Sequence, residues 1–192
     1  KFKNGTELAA GTIGEIGTTS FFPSKNLGCY GDGGAIFTNN DEFAQKMRMI
    51  VNHGSKVKYH HEIVGVNSRL DTLQASVLKI KLPLLNSYCQ ARLSAAIKYN
   101  DGLKDIEWIV TPKIMKYSTH VFHQYTIQVK NGKRDKLKDF LASKGISSMV
   151  YYPIPLHQQK AFKDNLRNTL YPVAEEFKSN VLSLPMHTEL NN

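Results

Sequence analysis

The sequence is poor in several features that would have assigned it quickly. It has two cysteines in 192 residues, Cys29 and Cys89, far apart and without metal-ligand spacing. That excludes a disulfide scaffold and a cysteine-rich zinc site, and two free, reduced thiols predict a cytoplasmic protein. No apolar run approaches the roughly 18 residues that a membrane span needs. No basic-then-apolar stretch opens the chain, so no membrane partner is expected. The Walker spacing GxxxxGK[ST] is absent. The net charge is +9, but no block of five like charges occurs and no nucleic-acid fold signature is present. The lysines read as scattered surface charge, with no nucleic-acid partner, although a basic chain also suits anionic ligands such as a phosphate or a nucleotide diphosphate.

What remains is an ordinary globular balance, with 41% hydrophobic and 21% charged residues. Lys1 to Gly17 reads as turns and a short hairpin, and Glu15 to Phe22 as a strand. Pro23 to Gly34 is a loop in which Gly28, Gly31, Gly33 and Gly34 imply positive φ angles or close backbone approach. A strand over Ala35 to Thr38 follows, then an N-cap in Asn39-Asn40-Asp41 and a helix over Glu42 to Val51. His53 to Ser68 is polar and reads as an exposed irregular loop. From Leu70 the apolar residues recur at helical spacing (Leu73, Val77, Ile80, Leu84), and Pro83 kinks or splits that helix. Strands are expected over Val121 to Val129, Ile146 to Tyr152 and Val181 to Leu184. Helices are expected over Lys133 to Lys144, closed by Gly145, and over Tyr171 to Asn180.

The chemistry concentrates at Ser20 to Gly34. Lys25 there allows three readings: a plain surface loop, a phosphate cradle, or a Schiff-base lysine. The last needs an amine near a carbonyl and able to lose its proton. It also needs donors for an ester phosphate, which the Ser20 hydroxyl and the glycine-rich backbone supply.

The run Ser20-Phe-Phe-Pro-Ser-Lys25-Asn-Leu-Gly28-Cys-Tyr-Gly31-Asp-Gly-Gly34-Ala resembles the active-site segment of the DegT/StrS-type sugar-nucleotide aminotransferases. Three more stretches resemble that family's signatures in the same order: Gly65-Val-Asn67-Ser-Arg69-Leu-Asp71-Thr-Leu-Gln74-Ala, Tyr151-Tyr-Pro-Ile-Pro-Leu-His157-Gln, and Leu182-Ser-Leu-Pro185-Met-His187. The resemblance implies an α/β protein, the C-terminal part of a fold-type-I aminotransferase that uses pyridoxal 5'-phosphate. Residues 1–70 would be the remainder of the large cofactor domain, 71–101 a connecting helix kinked near Pro83, and 102–192 a small C-terminal α/β domain. It implies transfer of an amino group from glutamate to a keto-sugar nucleotide, for surface polysaccharide or amino-sugar biosynthesis, with ping-pong kinetics. The string looks most like members that make 3-amino-3-deoxy uronic acid nucleotides.

By position, Lys25 matches the Schiff-base lysine and proton shuttle, and Ser20 a phosphate-binding hydroxyl. Asn67 matches an asparagine that reaches the cofactor phosphate from the other subunit of a homodimer. Arg69 would face the same shared site, while Tyr152 and His157 would line the sugar-nucleotide pocket. His53 and Tyr59 are further candidates. The bland alternatives are an Asx turn for Asn67, a cap or an Asp71 pair for Arg69, and an ordinary loop histidine for His157. Asp32 and His187 read as structural, and the spacing of His120 and His123 does not make a metal site. The family's phosphate-binding turn, its ring-stacking aromatic and its pyridine-nitrogen aspartate match nothing here, so this polypeptide alone is expected to have little transaminase activity. Two other readings stay open: a transaminase for another keto acceptor, such as a cyclitol, and a non-enzymatic regulatory protein on the same fold. A dehydratase relative is disfavoured, because that branch carries histidine at the lysine position.

Overall fold

A computed structural model describes residues 5–162 and 170–190. Packing divides the chain into two compact units, Lys1–Ser87 and Tyr88–Asn192.

In the first unit, β1 (Gly17–Ser20) and β2 (Gly34–Phe37) pair antiparallel, with Ser20 opposite Gly34 and Gly17 opposite Phe37. Residues 21–33 are therefore the loop that joins two paired strands. The hairpin expected within Lys1 to Gly17 is not found among the described residues. Ala10–Ile16 is turns and bends, and the partner of β1 comes from beyond the glycine loop. Two strands have too little area to bury both faces, and Ile36 and Phe37 stay about half exposed.

Helix α1 (Asp41–Val51) starts where Asn40 Oδ1 accepts the N–H groups of Glu42 and Phe43. Asp41 and Glu42 in its first turn and Arg48 in its last complement the helix dipole. The stretch expected to be irregular, His53 to Ser68, instead contains β3 (Ser55–Val57) and β4 (His60–His61), and Asn52 bridges Asn67. These strands are too short to show alternation. Their turns also use non-glycine residues at positive φ, His53 at 60° and Tyr59 at 70°, which composition does not signal.

Asp71 Oδ1 accepts the Gln74 N–H and caps α2 (Thr72–Lys81). Pro83 lies in a 3₁₀ turn, Leu82–Leu84, before α3 (Leu85–Leu103) begins, so the periodic stretch is two helices. A proline lacks the N–H that would continue the α-helical ladder but fits the first turn of a new segment.

The second unit carries a three-stranded antiparallel sheet in the order β5 (Ile109–Val110), β6 (Tyr125–Val129), β7 (Val181–Leu184). Helix α4 (Arg134–Ser143) is followed by Gly145 at φ 73°, and α5 (Pro172–Asn180) leads directly into β7. Ala96, Phe122, Tyr125, Ile127, Val129 and Leu182 form its core. Each large aliphatic or aromatic side chain buried there contributes about 1.5–3 kcal/mol. Tyr125 donates to Asn100 Oδ1 at 2.6 Å and stacks on Tyr99 at 4.7 Å. Burial pushes the Tyr125 hydroxyl up to about 12, with neighbouring Tyr99 adding to the shift.

Two expected strands are shorter than read. The run from Val121 is broken at Phe122, whose φ is 41° and whose N–H goes to His120 Nδ1 rather than to a ladder. Of Ile146 to Tyr152, only Met149 pairs, as an isolated bridge to Ser183.

Candidate active site

Lys25 is half-buried in the loop between β1 and β2. Its own N–H donates to Phe22 O at 2.8 Å, so the residue sits in a tight turn. The neck of the loop is tied at Cys29, whose N–H donates to Phe21 O at 2.8 Å. The Cys29 thiol, fully buried, lies 2.9 Å from both Phe21 O and Gly31 O, and its single proton serves these two carbonyls. Among the described residues the Lys25 amine has no carboxylate partner.

The loop glycines do not adopt positive φ. Close approach is the reason for Gly28: a Cβ there would lie 2.5 Å from Pro23 O and 2.9 Å from Phe22 O. The backbone after Lys25 thus folds directly onto the backbone before it.

Ser20 ends β1 on the upstream side of the same loop. Its Oγ accepts the Phe22 N–H at 3.2 Å, which leaves the hydroxyl proton available to an anion. The residues present fit a phosphorylated carbonyl cofactor in this respect. An amine not held by a carboxylate and a hydroxyl with a free proton lie five residues apart, on either side of one tight turn.

Asn67 and Arg69 are exposed and adjacent to each other, with Arg69 Nε donating to Asn67 Oδ1 at 3.2 Å. The guanidinium can only donate, so the contacting atom of Asn67 is its oxygen, and the amide N–H groups are left for a ligand. Arg69 does not pair with Asp71, which instead caps α2. Both residues line an open cleft of about 870 Å³ in the first unit, together with Thr18, Thr19, Asp32 and Arg48. Lys25 and Ser20 do not line that cleft, although Thr19 beside Ser20 and Gly34 opposite it do.

In the second unit, Tyr152 is 72% exposed in an irregular segment. His157 is nearly buried, with Nε2 3.1 Å from Glu175 Oε1 and its ring 4.8 Å from that of Tyr171. It therefore ties its own loop to α5. His53 and Tyr59 occupy positive-φ turn positions around the β3–β4 hairpin.

Sequence reasoning passed over Gln74 and Lys81, which contact the glycine loop from α2. The available signal was their seven-residue separation, two helical turns on one face.

A family model described as the DegT/DnrJ/EryC1/StrS aminotransferase family matches residues 4–192. The chain is 48% identical over 184 residues to a "pleiotropic regulatory protein" of Geobacillus stearothermophilus, covering 93% of this chain and 49% of that protein. It is 47% identical over 180 residues to a UDP-N-acetyl-3-dehydro-alpha-D-glucosamine 3-aminotransferase of Acidithiobacillus ferrooxidans, covering 94% of this chain and 48% of that protein. Among solved structures, S. venezuelae DesV in complex with a ketimine intermediate superposes with a TM-score of 0.87 at 39% identity, covering 93% of this chain and 48% of that one. The chain spans about half the length of the curated relatives it matches. The lysine loop, the second-signature pair Asn67 and Arg69, and a match along almost the whole length have one common explanation: the chain belongs to the DegT/DnrJ/EryC1/StrS aminotransferase family.

Proposed function

We propose that this chain supplies the lysine half of a pyridoxal-phosphate aminotransferase that moves an amino group from glutamate to a keto-sugar nucleotide, as a cytoplasmic homodimer. The observation that carries it is Lys25, an amine without a carboxylate partner among the described residues, on a loop tied closed at Cys29. When bound, pyridoxal phosphate would supply a carbonyl for the amine and a conjugated ring that accepts electrons.

Lys25 would hold the cofactor through a Schiff base and then move a proton at the substrate carbon that bears the amino group. Ser20 would donate its hydroxyl proton to the phosphate. Asn67 and Arg69 would present their outward N–H groups to the phosphate or a carboxylate in the site of the other subunit. That division between subunits is supported by their lining a cleft in which Lys25 and Ser20 take no part. Tyr152, exposed, would face the sugar nucleotide. His157, held by Glu175, would fix the loop that carries Tyr152. An acceptor at the 3-keto position is favoured by the name of the Acidithiobacillus relative.

A regulatory protein on the same fold is the second reading, favoured by the name of the Geobacillus relative. One experiment separates the two. The full-length protein is incubated with pyridoxal phosphate, reduced with borohydride and mapped by mass spectrometry. A pyridoxyl group on Lys25, absent from Lys25→Ala, is expected, with amino transfer reduced about 10²–10⁴-fold in that variant. An unlabelled Lys25 would end the enzyme reading.

A further inference from the structure

Downstream of Lys25, the loop is gripped by one face of α2. The Gln74 side chain accepts the backbone N–H of Tyr30 at 2.7 Å and that of Gly31 at 3.1 Å. Both partners are donors, so the accepting atom is the carbonyl oxygen Oε1. Two turns further along, Lys81 Nζ donates to Gly28 O at 2.8 Å and lies 4.8 Å from the centroid of the Tyr30 ring. Gly31 makes room for this grip, because a Cβ there would sit 3.2 Å from the Gln74 amide nitrogen.

Without α2, the polar groups of residues 28–31 would be satisfied in part by water and free to reorganise. With it, three anchor points, at Gly28, Tyr30 and Gly31, are fixed to a helix that buries Leu78, between the two gripping residues in sequence. Gly28 packs against the backbone of Phe22 and Pro23, and Phe22 O in turn accepts the Lys25 N–H, so the hold reaches the turn that carries Lys25.

We propose that Gln74 and Lys81 are positioning residues that set where the Lys25 amine stands. They act through the backbone of residues 28–31 and touch neither substrate nor cofactor. The inference rests on the reading of Lys25 as the cofactor lysine, but its structural half can be tested without cofactor.

The full-length protein is prepared as wild type, Gln74→Ala, Gln74→Glu and Lys81→Met. The glutamate variant retains an acceptor oxygen at the same reach. Two readouts are taken: backbone amide exchange of the 28–34 segment in cofactor-free protein, and the rate of borohydride-trappable attachment of pyridoxal phosphate to Lys25. Loss of two hydrogen bonds in Gln74→Ala is expected to speed exchange roughly tenfold and slow attachment by a similar factor. KM for the amino donor should stay within about twofold while kcat falls, as for a change that misplaces a reacting group. Gln74→Glu should recover most of both effects. Unchanged exchange and attachment in Gln74→Ala would overturn the proposal, and so would a Gln74→Glu variant as impaired as the alanine. If Gln74→Ala shows no cooperative thermal transition, Lys81→Met decides on the same two readouts, and wild-type values there would overturn it. Absence of attachment to Lys25 in the wild type would overturn the cofactor reading instead, while the exchange data still judge the grip.

Discussion

The two units are held together by different means. The second has a continuous apolar core, and among the described residues five of the six largest fully buried side chains lie in it: Tyr125, Phe122, Ile127, Leu182 and Val129. The first contributes only Cys29 to that group, and its organisation comes from backbone and polar bonds: Phe21 to Cys29, Gln74 to Tyr30 and Gly31, Lys81 to Gly28. Apolar burial is non-directional, so it stabilises a unit without fixing one atom closely. Hydrogen bonds contribute less each, but they depend on angle and distance. Within the residues described, the loop that presents the lysine is tied by the directional interaction, and the second unit is packed by the bulk one.

Phe122→Ala is the strongest way to break this contrast. It removes a fully buried ring that packs against Tyr125, 6.0 Å between centroids, and should destabilise the second unit by about 3–5 kcal/mol. Hydrogen exchange in the complete protein should accelerate within residues 88–190 and hold steady over 17–37. An equal rise in both regions would show that the two units share one cooperative transition.

A pH series sharpens the same point. Tyr125 ionises near 10.0 when exposed and at about 12 in the fold. Its acidic proton is held more tightly by the folded state, so its contribution is complete below pH 10 and disappears as pH rises through 12. Denaturant melts of the second unit should therefore lose stability between those values, and Tyr125→Phe should flatten the slope. A slope unaltered by Tyr125→Phe would assign the loss to other groups.

The smallest effect is expected at a cap in the first unit. Asn40→Ala removes the acceptor for Glu42 and Phe43 and should cost about 1 kcal/mol. The measurement is exchange within α1, with the core of the second unit as internal reference. No change in α1 would mean that packing, not the cap, sets where that helix starts.

Much of the fold was legible wherever a local rule was strong. Asn40 through its side-chain oxygen, and Gly145 and Pro83 through their backbones, mark helix ends, and each acts where its residue type implies. The family assignment was legible because four motifs occur in order, although the Lys25 loop by itself left three readings open. Illegible features depend on partners distant in sequence. Gln74 falls inside the second signature and one helical face from Lys81, but neither fact says that its amide meets residues 43 and 44 positions away, since a glutamine near a helix start is equally at home in water. The β3–β4 hairpin has histidine and tyrosine at positive φ, although Tyr59 is exposed, and composition does not announce a left-handed conformation at residues of these types. The interruption at Phe122 comes from a histidine ring taking the N–H that a strand would have used.

The pairing of Ser20 with Gly34 also works as a ruler. Residues 21–33 must leave one strand and re-enter its partner at a fixed register, with Phe21 and Gly33 joined by a 2.8 Å backbone bond on the way. Inserting or deleting one residue there would move every later β2 side chain to the opposite face of the sheet or force a bulge. Many substitutions in the loop leave that count intact, but a change in its length does not. Among variants of this protein, the spacing between Ser20 and Gly34 should therefore tolerate less alteration than the identity of most residues between them.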